Sequence, residues 1–193
     1  MKDLELSESD VVQGHGRPEP PDVGALTPQQ AQDGRHLEAI HRLYLRDLSQ
    51  IEVLMEDIRA GRADPATLAP AIRGMPMARN LRIFGTACGQ ACQALTIHHM
   101  IEDRSLFPQI AAQAQDHRPV IERLLAEHEV LAEGIEALAV AAEWLAREGD
   151  NSDGAGFDTC AERFAAVMAM VRSHFRYEET RLAPVMGKLG IQG

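Results

Sequence analysis

Two stretches of this chain carry the same chemistry in the same order. His98-His99-Met100-Ile101-Glu102-Asp103-Arg104-Ser105-Leu106-Phe107-Pro108 and His174-Phe175-Arg176-Tyr177-Glu178-Glu179-Thr180-Arg181-Leu182-Ala183-Pro184 each place Glu at +4 from a His, a second acid at +5, Leu at +8 and Pro at +10. A +4 spacing puts imidazole and carboxylate on one helical face, one turn apart. Two such pairs in one chain predict a metal site built between helices. His41 and His128 join them, because each falls on an apolar stripe of its own helix. The competing reading, that of core histidines satisfied by hydrogen bonds, suits any one of them better than it suits the set.

The elements that must position these groups are helical. Hydrophobic residues make up 45% of the chain and aromatics only 4%, a palette that favours helices over sheets. Residues 1–28 are acidic and polar, with Pro18, Pro20 and Pro21, and read as a flexible tail. Residues 29–190 read as an all-α, up-down-up-down four-helix bundle. The first helix opens at Thr27-Pro28, carries Leu37, His41, Tyr44, Leu45, Leu48, Ile51, Met55 and Ile58 in one stripe, and stops at Gly61. The second runs from about Met77 to Gln113, with Pro108 disturbing its end and Gly85 and Gly89 permitting a close helix contact. The third starts at Pro119 and the fourth spans Ala155 to Met186.

Position along the helices supplies an independent test. His41 and His128 lie near the starts of the first and third helices, and the two His–Glu pairs near the ends of the second and fourth. In an up-down-up-down bundle those places share one end. Six groups, His41, His98, Glu102, His128, His174 and Glu178, therefore aim at one point. Two buried carboxylates are costly without a cation. Six donors exceed what one tetrahedral zinc needs, which favours two metals bridged by the carboxylates. Ligand type alone leaves iron, zinc and manganese open.

The set resembles the hemerythrin-like (HHE cation-binding) family. The two signature segments are HHMIEDRSLFP and HFRYEETRLAP, IHRLYLRDL resembles the first-helix ligand segment, and the likeness covers about residues 35–188. The resemblance implies two non-haem iron ions (Fe2+/Fe3+), oxo- or hydroxo-bridged when oxidised. Glu102 and Glu178 would bridge them, and the four histidines would be terminal ligands. It also implies small ligands: O2, NO or peroxide. One position departs from the family pattern. The oxygen-carrying members have a second His one turn after the third-helix ligand, and here Ala132 stands there. His99 is the candidate replacement, against a surface or supporting role. Ferritin-like di-iron proteins use Glu-x-x-His, the reverse order and a different spacing.

Several flanking residues admit two readings. Asp103 and Glu179 either orient ligand histidines or sit as solvated acids; Tyr44 reads first as a core residue, and Cys88 and Cys92 as small core fillers. His15, His36 and His117 are assigned no role. The net charge of -10 argues against nucleic acid and against a basic membrane-surface segment. No apolar run approaches a membrane span, no signal peptide is evident, and three Cys suggest a reducing cytoplasm. The functions expected are binding or sensing of a small oxidant, with peroxide decomposition as a further activity, or iron or other metal storage and buffering without gas chemistry. A bundle whose metal site stays empty is the third. Protein partners are unknown.

Overall fold

The computed structural model of the chain describes residues 6–64, 67, 89–148 and 155–191. Among the described residues every regular element is helical: α1 (Glu8–Gln13), α2 (Pro28–Arg59), α3 (Gly89–Ile101), α4 (Phe107–Gln113), α5 (Arg118–Glu148), α6 (Ala155–Arg181) and α7 (Ala183–Leu189). A π-helical turn, Glu102–Leu106, joins α3 to α4, and a short 3-10 turn, Gln115–His117, precedes α5. None of these helices is long and apolar enough to cross a membrane.

The helix ends follow local chemistry. Thr27 caps α2 reciprocally: its hydroxyl accepts the Gln30 N–H at 3.2 Å, and the Gln30 side chain accepts the Thr27 N–H at 3.0 Å. Gly61, at φ 69, takes the left-handed conformation that closes the far end, as its place after the stripe suggests. Replacing Thr27 by Ala removes one side of this box. The expected cost is about 1 kcal/mol, read as a lower midpoint in urea with an unchanged m-value.

Proline decides the two later breaks. Pro108 has no N–H for the carbonyl of Arg104, so the helix does not continue evenly. Phe107 instead donates its N–H to the Glu102 carbonyl, five residues back, and α4 restarts with Pro108 in its first turn. Pro184 acts likewise. α6 ends at Arg181, Leu182 forms a turn, and α7 begins with Pro184 in its first turn, so the fourth helix expected to reach Met186 is two. The expected start of the second helix, with Gly85 and Cys88, lies outside the described residues.

Two compact units emerge. The first comprises residues 1–42, 98–131 and 170–193, and the second residues 43–97 and 132–169. In the first, Leu37, Leu106, Phe107, Ile110, Leu124, Tyr177, Leu182 and Met186 belong to one buried cluster. In the second, Leu48, Ile51 and Met55 of the stripe predicted for the first helix are buried, as are Leu95, Ile135, Leu138, Phe164 and Val167.

The N-terminal segment differs from the flexible tail expected of residues 1–28. Residues 8–13 form α1, with Ser7 and Asp10 making a capping box and Gly14 a left-handed cap at φ 69. Val11 is fully buried. Low apolar content hid this element, because one valine and a few directed hydrogen bonds dock it.

Candidate metal centre

Five helical pieces of the first unit supply the site. α2 brings His41, the end of α3 brings His98 and His99, the π-turn brings Glu102, α5 brings His128, and α6 brings His174 and Glu178. All seven side chains are buried, with His41, His174 and Glu178 at 0% exposure. They form two donor groups. His41, His98, Glu102 and Glu178 make one, and His99, His128 and His174 the other; within each, the donor atoms lie within 4.8 Å of one another.

The carboxylates reach toward both groups. Glu102 Oε1 lies 3.3 Å from His98 Nε2, while its Oε2 lies 3.8 Å from His128 Nε2. Glu178 Oε2 lies 3.4 Å from His41 Nε2 and 3.7 Å from His174 Nε2. Each carboxylate thus lies within reach of both imidazole sets.

Outer carboxylates fix the imidazoles. His41 Nδ1 donates to Glu179 at 3.0 Å, His128 Nδ1 to Asp103 at 2.7 Å, and His174 Nδ1 to Glu127 at 3.0 Å. A carboxylate only accepts, so each Nδ1 carries a proton, which in a neutral ring leaves the lone pair on Nε2. Phe175 stacks on the His41 ring at 3.7 Å between centroids, and His99 stacks on His128 at 4.0 Å. Desolvation holds His41, His98, His99 and His174 below the usual imidazole range, with His98 at about 2 and His174 at about 4. Neutral imidazoles are the form that binds metal.

The donors fit a cation. His128 Nε2 and His174 Nε2 face each other at 3.0 Å with both lone pairs inward, an arrangement that repels unless a positive centre lies between them. His99 Nε2 and all four oxygens of Glu102 and Glu178 are buried without a hydrogen-bond partner. Desolvation pushes both carboxyls up; Glu178's negative charge adds to this at Glu102, while at Glu178 the neighbouring Glu102 carboxyl offsets part of the rise and Glu179, Glu127 and Asp103 add to it. Two orphaned carboxylates beside five imidazoles make a donor set of the kind that takes transition metals.

All six residues singled out in the sequence come together here. His99 joins them: Ala132 is exposed, and the third imidazole of its group comes from the helix carrying His98. Asp103 and Glu179 take the orienting role. Tyr44 is half-buried and belongs to the second unit. Glu127 was missed. It is fully buried, and burial raises its carboxyl while hydrogen bonds from His174, Arg17 and Arg123 more than reverse that, to about 2. Its position just before His128 gave no signal, since an acid beside a ligand is usually solvated.

The helical fold and the paired His–Glu donors together define a cation-binding domain of the hemerythrin kind. The chain matches the hemerythrin HHE cation binding domain over residues 33–186 and belongs to that family. No curated protein and no solved structure matches it.

Proposed function

We propose that this protein is a non-haem di-iron protein that binds or senses O2, NO or peroxide, with peroxide decomposition as an accompanying activity. His41 and His98 would hold one iron, His99, His128 and His174 the other, and Glu102 and Glu178 would bridge them. The observation that carries the reading is the unequal division of imidazoles around two shared carboxylates. The two-histidine side has one fewer protein donor, which leaves room there for a small ligand. Iron so held would exchange electrons with a small oxidant. The chain's own part is to keep the imidazoles neutral, to orient three of them through Glu179, Asp103 and Glu127, and to exclude bulk water. Burial of every donor favours ligands of diatomic size. A reducing cytoplasm is the compartment that suits ferrous loading.

Chain reconstituted anaerobically with Fe(II) is expected to retain about two irons, one per donor group, and to develop an iron-to-ligand absorption band when air or peroxide is admitted. Two irons without any spectral change would move the function to metal storage. A colourless chain that holds no iron after reconstitution would end the redox reading.

A further inference from the structure

Of the three carboxylates that orient imidazoles, Glu127 is the one held from outside the helices that carry the donors. The side chains of Glu179 and Asp103 are 27% and 34% exposed, so water can share their charge. Glu127 is at 0%, and its charge is met by arginines. Arg123, one turn earlier on α5, donates Nε to Oε1 at 2.8 Å. Arg17 comes from the N-terminal segment, 110 residues away in sequence, and grips both oxygens: Nε to Oε1 at 2.8 Å and Nη2 to Oε2 at 2.9 Å. Oε2 is the same atom that accepts the His174 Nδ1–H. A planar guanidinium fork sets the carboxylate plane as well as its charge.

The same segment is fastened to the helical turn that bears His174. Ser173 Oγ donates to the Val11 carbonyl at 2.8 Å and accepts from Arg17 Nη1 at 3.0 Å. Tyr177 donates its hydroxyl to the Pro18 carbonyl at 2.9 Å, and the Arg17 guanidinium lies 4.6 Å from the centre of its ring. Arg123 Nη2 also donates to the Asp10 carbonyl at 3.2 Å, and Arg181 pairs with Glu19. Ser173 and Tyr177 flank His174 along α6, so the segment and the imidazole share one turn of helix.

We propose that residues 7–19 form a clasp whose Arg17 is a positioning residue for the three-histidine group, so that docking of the segment and loading of that group strengthen each other. The proposal rests on His99, His128 and His174 holding a metal. Its physical content is linkage. A metal that needs His174 in one orientation favours the chain state in which Arg17 fixes Glu127, and the docked segment favours the metal by the same factor. His41 is oriented by Glu179, so the two-histidine group stands apart from the clasp.

The test uses the full chain and Fe(II), titrated anaerobically. Unaltered protein is expected to take two equivalents. Arg17→Ala should keep one at unaltered affinity and hold the other roughly 10–100-fold more weakly, the range found when an orienting partner is lost. Arg17→Lys, which restores charge without the fork, should recover only part of that loss. Equal weakening of both equivalents, or none, overturns the proposal. A second measurement needs no variant: amide hydrogen exchange of residues 8–19 should slow when Fe(II) is added to the metal-free chain, and equal exchange in both states overturns the linkage. Unaltered protein that binds no metal would instead remove the underlying metal reading, an outcome distinct from either.

Discussion

Glu178→Gln is expected to remove tight binding of the proposed metal pair while leaving the metal-free chain at least as stable as the unaltered one. The first half follows from geometry: Glu178 Oε2 lies 3.4 Å from the nitrogen of His41 and 3.7 Å from that of His174, so the change touches both groups. A carboxamide keeps the shape but loses the negative charge that would offset the proposed two cations, and a loss of roughly 100-fold or more in affinity is expected, beyond the usual effect of an outer partner. The second half follows from burial. Glu178 is fully buried, its oxygens find no protein donor, and its carboxyl is pushed up, so the folded metal-free chain prefers it protonated.

The sign is fixed by linkage. A carboxyl whose folded pKa is raised leaves stability intact below the ordinary value of 4.5 and loses it as pH rises toward the raised one. In metal-free protein the melting temperature of Glu178→Gln should therefore gain on that of the unaltered chain between about pH 5 and pH 8. Excess chelator in both samples keeps the comparison clean. A variant that loses stability at the upper end of that range would show that Glu178 is satisfied without metal, contrary to its surroundings.

The second large effect concerns packing alone. Gly187→Ala should lower stability by about 2 kcal/mol, although alanine is the better helix former. An added Cβ at Gly187 would collide with the backbone carbonyl of Gln30, and one at Gly34 with the carbonyl of Ala183. The first turns of α2 and the body of α7 therefore meet backbone to backbone, and neither obstacle is a side chain that can swing aside. Helix propensity returns at most about 1 kcal/mol, against an overpacking cost of about 3 kcal/mol at a rigid contact. For a chain of this length the net loss corresponds to roughly 4–8 °C in Tm. Gly34→Ala should act in the same direction. Calorimetry on metal-free protein reads both, and a rise in Tm would mean that α7 docks on α2 less closely than the contact requires.

Local spacing made most of the site legible. His41, His98, Glu102, His128, His174 and Glu178 could be chosen because helical period places them on faces shared with leucines and valines, and a period is a property of neighbours in the chain. The caps at Thr27 and Gly61 and the disturbance at Pro108 were visible for the same reason, whereas the break before Pro184 was not, since the stripe reads on to Met186. The capping box Ser7-Glu8-Ser9-Asp10, with Gly14 after it, is equally local, but the tail-like composition of residues 1–28 outweighed it and α1 went unread.

Tertiary structure decided the rest. His99 stands 100° round the helix from His98, and whether it faced solvent or the second donor group depended on how that helix is rotated against its neighbours, which no spacing along one helix encodes. The same uncertainty covered Ala132, which is exposed, and Glu127, which is buried. An acid looks alike in sequence whether water or two arginines meet its charge. The pairing of Arg17 with Glu127, and of Gly187 with Gln30, joins residues far apart in the chain. The sequence by itself determined the helices and the metal-binding character of their shared face. Only the packing of helix on helix determined which histidine completes the second donor group and which arginine holds it in place, because those contacts exist only once separate segments meet.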